Sequence, residues 1–97
     1  MSGKKLLEWS IRSALNVESI RDYIERDNPV AALNVLAEIR KGARGLLEFP
    51  MLGHDGKRAG TRELVLPKYP YTIIYRLTAD KVRIVAVVHQ SRQHPSK

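Results

Sequence analysis

The chain contains no cysteine, so it can form neither a disulfide framework nor a zinc–thiolate site. It has one tryptophan, one phenylalanine and two methionines among 97 residues, so any core must be built mostly from aliphatic side chains and a few tyrosines. No apolar run approaches the ~18 residues needed to cross a bilayer as a helix. The opening "MSGKKLLEWS" has two lysines but no hydrophobic stretch or small-residue cleavage site behind them. No secretory leader is expected, and a reducing cytoplasm suits the composition. GxGxxG, the P-loop and GxSxG are all missing, which argues against a nucleotide-cofactor enzyme and a serine hydrolase.

Acidic residues are scarce in one half only. Residues 1–39 hold five bases and six acids, whereas residues 40–97 hold twelve bases and four acids, and the whole chain carries a net charge of +7. The basic excess therefore belongs to the second half. It favours a polyanionic partner: nucleic acid, a nucleoprotein or an acidic protein segment. Hydrophobic content of 43% and charged content of 28% are those of one ordinary globular domain, taken as residues 1–97.

Hydrophobic periodicity gives the order of elements. "LLEWSI" (Leu6–Ile11) alternates Leu7, Trp9 and Ile11 against Glu8 and Ser10, as a half-buried strand does. A helix is expected from Ser13 or Asn16, either of which could cap it, to Asp27, with Val17, Ile20 and Ile24 on one face and Tyr23 beside them. Asn28 caps a second helix that starts at Pro29, whose fixed φ suits the first helical position. Its apolar face is Ala32, Val35, Leu36, Ile39, Ala43 and Leu46; Gly42 and Gly45 weaken its end, and Pro50 stops it. "MLGHDGKRAG" (Met51–Gly60) reads as a loop.

Three strands follow: "RELVL", "PYTIIYRL" and "KVRIVAVVH". The second should turn Tyr71, Ile73, Tyr75 and Leu77 to one face. The third should set Val82, Ile84, Ala86 and Val88 opposite Arg83, Val85, Val87 and His89. "TADK" between them is short enough for a hairpin turn. The expected fold is α+β, in the order β-α-α-β-β-β. A helical hairpin covers one face of a mainly antiparallel four-stranded sheet, and the other face is partly open.

Chemistry-bearing residues collect at the end of the last strand, where "VRIVAVVHQSRQHP" runs from a buried strand into His89, Gln90, Ser91 and Arg92. The histidines His54, His89 and His94 have no spacing that would make a metal site, and no metal or cofactor is expected. Acid–base cleavage of RNA would need a proton acceptor and cations for the phosphate. His89, Arg92, Arg76 and Arg62 could supply both if their strand ends converge. Otherwise Arg62 and Arg76 lie on a solvated sheet face, paired with Glu63, Asp80 or water. Tyr69, Tyr71 and Tyr75 could stack on bases, but the alternation puts Tyr71 and Tyr75 in the core.

The element order, together with "NPVAA", "FPMLG", "GTRELV", "YPYTIIYRL" and the strand ending "VVHQSR", resembles the RelE/ParE superfamily of bacterial toxins from about Leu6 to Pro95. The resemblance implies the toxin of a type II toxin–antitoxin, or plasmid-stabilisation, module. A cognate antitoxin would neutralise it, with a flexible segment that folds onto the toxin. An acidic segment of that kind would meet the basic half, and its apolar residues would supply most of the affinity.

The superfamily divides by target. RelE-like members cleave mRNA on the ribosome with basic residues and often a tyrosine or histidine near the C-terminus; ParE-like members poison DNA gyrase. The RelE-type arginine of "YRLVY" falls here at Thr72, and no tyrosine follows Tyr75, although Arg92 matches the basic position after the last strand. "VVHQS" is similar to the strand ending of ParE-like members. The resemblance therefore implies gyrase inhibition by binding, with His89, Gln90 and Arg92 as the target-contact surface and no bond cleaved by the chain. The alternative is a ribosome-dependent mRNA endonuclease using His89, Arg92, Arg76 and Arg62. A third reading is a non-toxic nucleic-acid-binding or interaction domain of the same fold.

Overall fold

A computed structural model describes residues 5–92. β1 (Leu6–Trp9) leads into α1 (Ile11–Glu25) and α2 (Pro29–Glu48). The short β2 (His54–Asp55), β3 (Arg62–Val65), β4 (Tyr71–Leu77) and β5 (Lys81–His89) follow, and a single 3-10 turn spans Gln90–Arg92. The strands lie in the order β1-β5-β4-β3-β2, with β1 parallel to β5 and every other pair antiparallel. The class is the expected α+β. The fifth strand is β2, where two residues of the Met51–Gly60 segment pair with Glu63 and Arg62.

The helical hairpin packs on one face of this sheet. Val35, Ile39, Ala43 and Leu46 of α2 meet Tyr71, Ile73 and Tyr75 of β4 and Val82, Ile84 and Val87 of β5, while Val17, Ile20 and Ile24 of α1 close the side. Asn28 caps α2 as expected, its side-chain oxygen accepting the Ala31 N–H at 3.0 Å. The helix runs through both glycines to Glu48. A Cβ on Gly42 would stand 3.0 Å from a Leu66 methyl and 3.3 Å from one of Ile73, so this glycine lets α2 lie close on the sheet.

The start of α1 departs from expectation. The strand stops at Trp9, and Ile11, expected on its buried side, is the first helical residue and 81% exposed. The cap is Ser10 rather than Ser13 or Asn16: its Oγ accepts the Ser13 N–H at 3.0 Å and donates to the Val85 carbonyl at 3.0 Å. Ser10 has a tertiary partner as well as the capping bond, Ser13 bonds only within the turn, and the Asn16 oxygen is taken by a strand amide instead of the helix start.

Val85 marks the second departure. The β4–β5 register runs Ile74↔Ala86 and then Tyr75↔Ile84, so Val85 is an extra, bulged residue. Beyond a bulge the alternation changes hand. Val87 therefore turns into the core in place of Val88, and His89 turns toward the helices with it. The cap of α1 and one side chain within it serve the bulge: the Ser10 hydroxyl donates to the Val85 carbonyl, and the Asn16 Oδ1 accepts the Val87 N–H at 3.0 Å.

Candidate functional site

The bulge decides what surrounds His89. Its backbone pairs with Tyr71, and the two rings meet edge to face with centroids 5.3 Å apart and planes at 83°. The Ser91 N–H donates to His89 Nδ1 at 3.1 Å, and the Ser91 hydroxyl lies 2.8 Å from the same nitrogen. A backbone N–H pointing at Nδ1 makes it an acceptor, which puts the proton of the neutral ring on Nε2. The Gln90 N–H donates to the Pro70 carbonyl at 2.8 Å and fixes the start of the 3-10 turn. Gln90 and Ser91 are exposed. Beside them a groove of about 610 Å³ runs between the end of β5 and α1, lined by Asn16, Ile20, Tyr23, Tyr71, His89 and Ser91.

Of the residues singled out in the sequence, His89 and Gln90 stand together at this strand end. Arg92 ends the adjoining turn, with its side chain outside the described residues, as is His94. Arg62 and Arg76 are elsewhere. Arg62 lies opposite Tyr75, on the helix side of the sheet. Its guanidinium donates to the Gly53 carbonyl, to the Met51 carbonyl at 3.3 Å and to Asp55 at 3.1 Å. It thus ties down the loop after α2 and β2, instead of sitting on a solvated face beside Glu63. His89 lies opposite Tyr71, four residues along β4 from Tyr75 and on the other flanking strand, so the two sites are separated by roughly 13 Å along β4 alone. Arg76 occupies the opposite face, where it is exposed and paired in register with Arg83. Thr72 is fully buried.

The tyrosines divide as the alternation implied: Tyr71 and Tyr75 are buried. Tyr23, placed by periodicity near the core, is 70% exposed at the mouth of the groove. Asn16, Ile20 and Tyr23 share one face of α1 by their spacing, but only the bulge brings His89 to that face. Among the described residues no cluster of His, Asp and Glu could hold a metal ion, and no helix is long and apolar enough to cross a membrane.

The face without helices carries its own charge system. Glu8 receives Arg83 at 3.0 Å and Lys81 at 3.5 Å. The hydrogen bond from Arg83, with the charge of Lys81 in support, holds the Glu8 carboxyl below its usual range against a smaller opposing effect of desolvation.

Two helices laid across one face of a five-stranded sheet whose first and last strands run parallel define the fold of the RelE/ParE toxins. The family described as the ParE toxin of the type II toxin–antitoxin system parDE matches residues 7–94, and the chain belongs to that family. It is 40% identical over 92 residues to Y4kP of Sinorhizobium fredii, covering 95% of each chain. It is 34% identical over 84 residues to toxin RelE2 of Caulobacter vibrioides, covering 87% of this chain and 93% of that one. Among solved structures it is similar to a chain of the chromosomal ParDE system from P. aeruginosa, with a TM-score of 0.81 at 20% identity over 89% of this chain and 96% of that one. The RelBE2 toxin–antitoxin complex of Mycobacterium tuberculosis gives 0.65 at 18% identity, covering 90% and 99%. At those identities the two structures bear on the fold alone.

Proposed function

We propose that this chain, acting in the cytoplasm, inhibits DNA gyrase by binding, with no bond cleaved by its own residues, and that a cognate antitoxin holds it inactive. His89, Gln90 and Arg92 form the target-contact surface. The observation that carries the reading is the dispersal of the residues a nuclease would need. Arg62 is engaged by the loop after α2, Arg76 is on the other face, and the buried Thr72 stands where the RelE branch has an arginine. Phosphoryl chemistry needs its acid–base group and its cations within hydrogen-bond reach of one phosphate.

An antitoxin partner is supported by the ParDE and RelBE systems to which the fold is similar. Phe49, Met51 and Leu52, exposed at 63%, 65% and 61%, offer apolar anchors in the basic half of the chain. The likeness to toxin RelE2 keeps a ribosome-dependent mRNA endonuclease as the second reading.

One experiment separates the two. The chain is induced briefly without antitoxin, and DNA and protein synthesis are followed by pulse-labelling in the same culture. Gyrase inhibition predicts that DNA synthesis falls first and that the purified chain blocks supercoiling in vitro. A prior fall in protein synthesis, with mRNA cleaved on isolated ribosomes, would reject it.

A further inference from the structure

Charge in this protein is segregated by layer. The helical hairpin, residues 11–48, holds six bases and six acids, whereas residues 49–92, which make β2 to β5 and their loops, hold eight bases and three acids. The excess that the sequence assigns to the second half is thus an excess of the sheet layer.

On the face away from the helices this excess is concentrated. Arg76 and Arg83 are direct cross-strand partners, an arrangement that costs stability because like charges repel at that spacing. A single carboxylate, Glu8, serves both Arg83 and Lys81. Arg76 is exposed and has no carboxylate partner among the described residues; its guanidinium donates to the Ala59 carbonyl at 3.4 Å. Gly60, with φ +83°, leaves room for that guanidinium, since a Cβ there would lie 2.7 Å from the Arg76 Nη1. Lys57 stands over the same face toward β2, lining a cleft with His54, Asp55, Glu63, Val65 and Gln90. The Glu63 carboxylate there is buried and lies 3.5 Å from the Lys57 backbone N–H, so it is turned away from an approaching polyanion. Asp80, in the β4–β5 turn, accepts from the Thr78 hydroxyl.

We propose that this helix-free face binds the phosphodiester backbone of duplex DNA through Arg76, Arg83 and Lys57. The contact belongs to the chain itself and stands whichever enzyme or ribosome the toxin acts on. Three features select a duplex backbone over other polyanions. The cations are spread across neighbouring strands, which suits a row of phosphates better than one compact anion. Proteins that hold single strands stack bases on aromatic rings. Here Tyr71, Tyr75 and Trp9 face the helices, Tyr23 lies on α1 and Phe49 at the end of α2, so the basic face presents none of these rings. Finally, the cluster of exposed apolar side chains that would anchor a protein partner, Phe49, Met51 and Leu52, follows α2 in the loop leading to β2. The exposed apolar residues of the basic face, Val65 on β3 and Leu6 on β1, are separated by β4 and β5 and form no such cluster.

The test is fluorescence anisotropy with a labelled duplex of about 30 base pairs and the full chain, purified free of other proteins, at several salt concentrations. Three phosphate contacts predict a slope of log K against log salt near −3, and R76Q/R83Q should reduce its magnitude by about two. E8Q, which releases Arg83 and Lys81 from their shared carboxylate, should tighten binding about threefold or more. With circular dichroism matching the parent's, a gain of affinity in E8Q is not that of an unfolded basic chain, so this variant keeps the proposal open to refutation if the arginine pair proves needed for folding. R40Q/R44Q, on α2, should leave the affinity unchanged. The proposal is overturned if the duplex does not bind, if E8Q does not tighten it, if the α2 variant weakens it as much as R76Q/R83Q, or if single-stranded RNA of equal length binds more tightly.

Discussion

The phenol of Tyr75 accepts a hydrogen bond from the Gly53 amide at 3.0 Å and donates its own proton to the Pro50 carbonyl at 2.8 Å. One fully buried hydroxyl therefore fixes both sides of the bend that follows α2, and Arg62 closes the same bend from outside. Gly53 is required there by space: a Cβ would come within 2.7 Å of the Glu63 carbonyl oxygen, which is backbone and cannot yield cheaply.

Tyr75→Phe keeps the ring but strands a buried amide and a carbonyl. It should cost about 1–3 kcal/mol in urea denaturation and speed hydrogen exchange at Gly53 above that of the β4 amides. A stability equal to the parent's would show that water replaces the phenol at no cost.

The Asn16 side chain carries a comparable load at the β5 bulge. Asn16→Ala leaves the Val87 N–H without its acceptor and should destabilise the fold by about 1–3 kcal/mol, whereas Asn16→Asp, which keeps an acceptor oxygen, should lose less. Ser10→Ala removes the α1 cap and the Val85 contact together and should cost about 1–2 kcal/mol. If Asn16→Ala and Asn16→Asp lose equally, the hydrogen bond to Val87 is not what Asn16 contributes.

Residues with strong local signals were legible in the sequence. Asn28-Pro29 starts α2, the six apolar residues of its predicted face are all buried, and Tyr71, Ile73 and Tyr75 share the core side of β4. What could not be read depends on partners distant in the chain. Ser10 becomes a cap because Val85, seventy-five residues away, also binds its hydroxyl. β2 exists only because β3 offers its edge to two residues of a polar loop. The bulge at Val85 leaves no mark in "KVRIVAVVH", where apolar residues fill both faces; a shift of one residue then changes nothing in the pattern and everything in where His89 points. The candidate site was legible as a cluster in the chain, but its groove and the separation of Arg62 and Arg76 from it were not.

Glu8 ties β1 to β5 by charge and gives the fold a defined response to acid. Its carboxyl is held below the usual value of 4.5, so the ionised form is favoured in the folded state. The stabilisation is fully present above the unfolded value and is lost as pH falls through the lower folded one. An NMR titration of the Glu8 side chain should give a midpoint below 4.5, and Arg83→Gln should raise it, because Arg83 is the first cause of the shift. A midpoint that stays put in Arg83→Gln would assign the effect to Lys81.

The strand end at His89 supplies the last prediction, and it separates contact from structure. Gln90 is exposed, so Gln90→Ala should change stability by no more than about 0.5 kcal/mol, as surface substitutions do, and it is combined with Arg92→Ala for the test of contact. His89→Ala gives up its edge-to-face contact with Tyr71 and should cost about 0.5–1.5 kcal/mol. If these residues contact the target, each set should still fold, with parent-like circular dichroism. The concentration needed for half-maximal inhibition of supercoiling should nevertheless rise about tenfold or more, the loss expected when an interface contact worth more than 1.4 kcal/mol is truncated. Folded variants with undiminished inhibition would move the contact surface away from this strand end. Tyr23→Ala then becomes the informative variant, since Tyr23 is the exposed aromatic residue on the α1 side of the same groove and Tyr and Trp are the usual anchors of such interfaces.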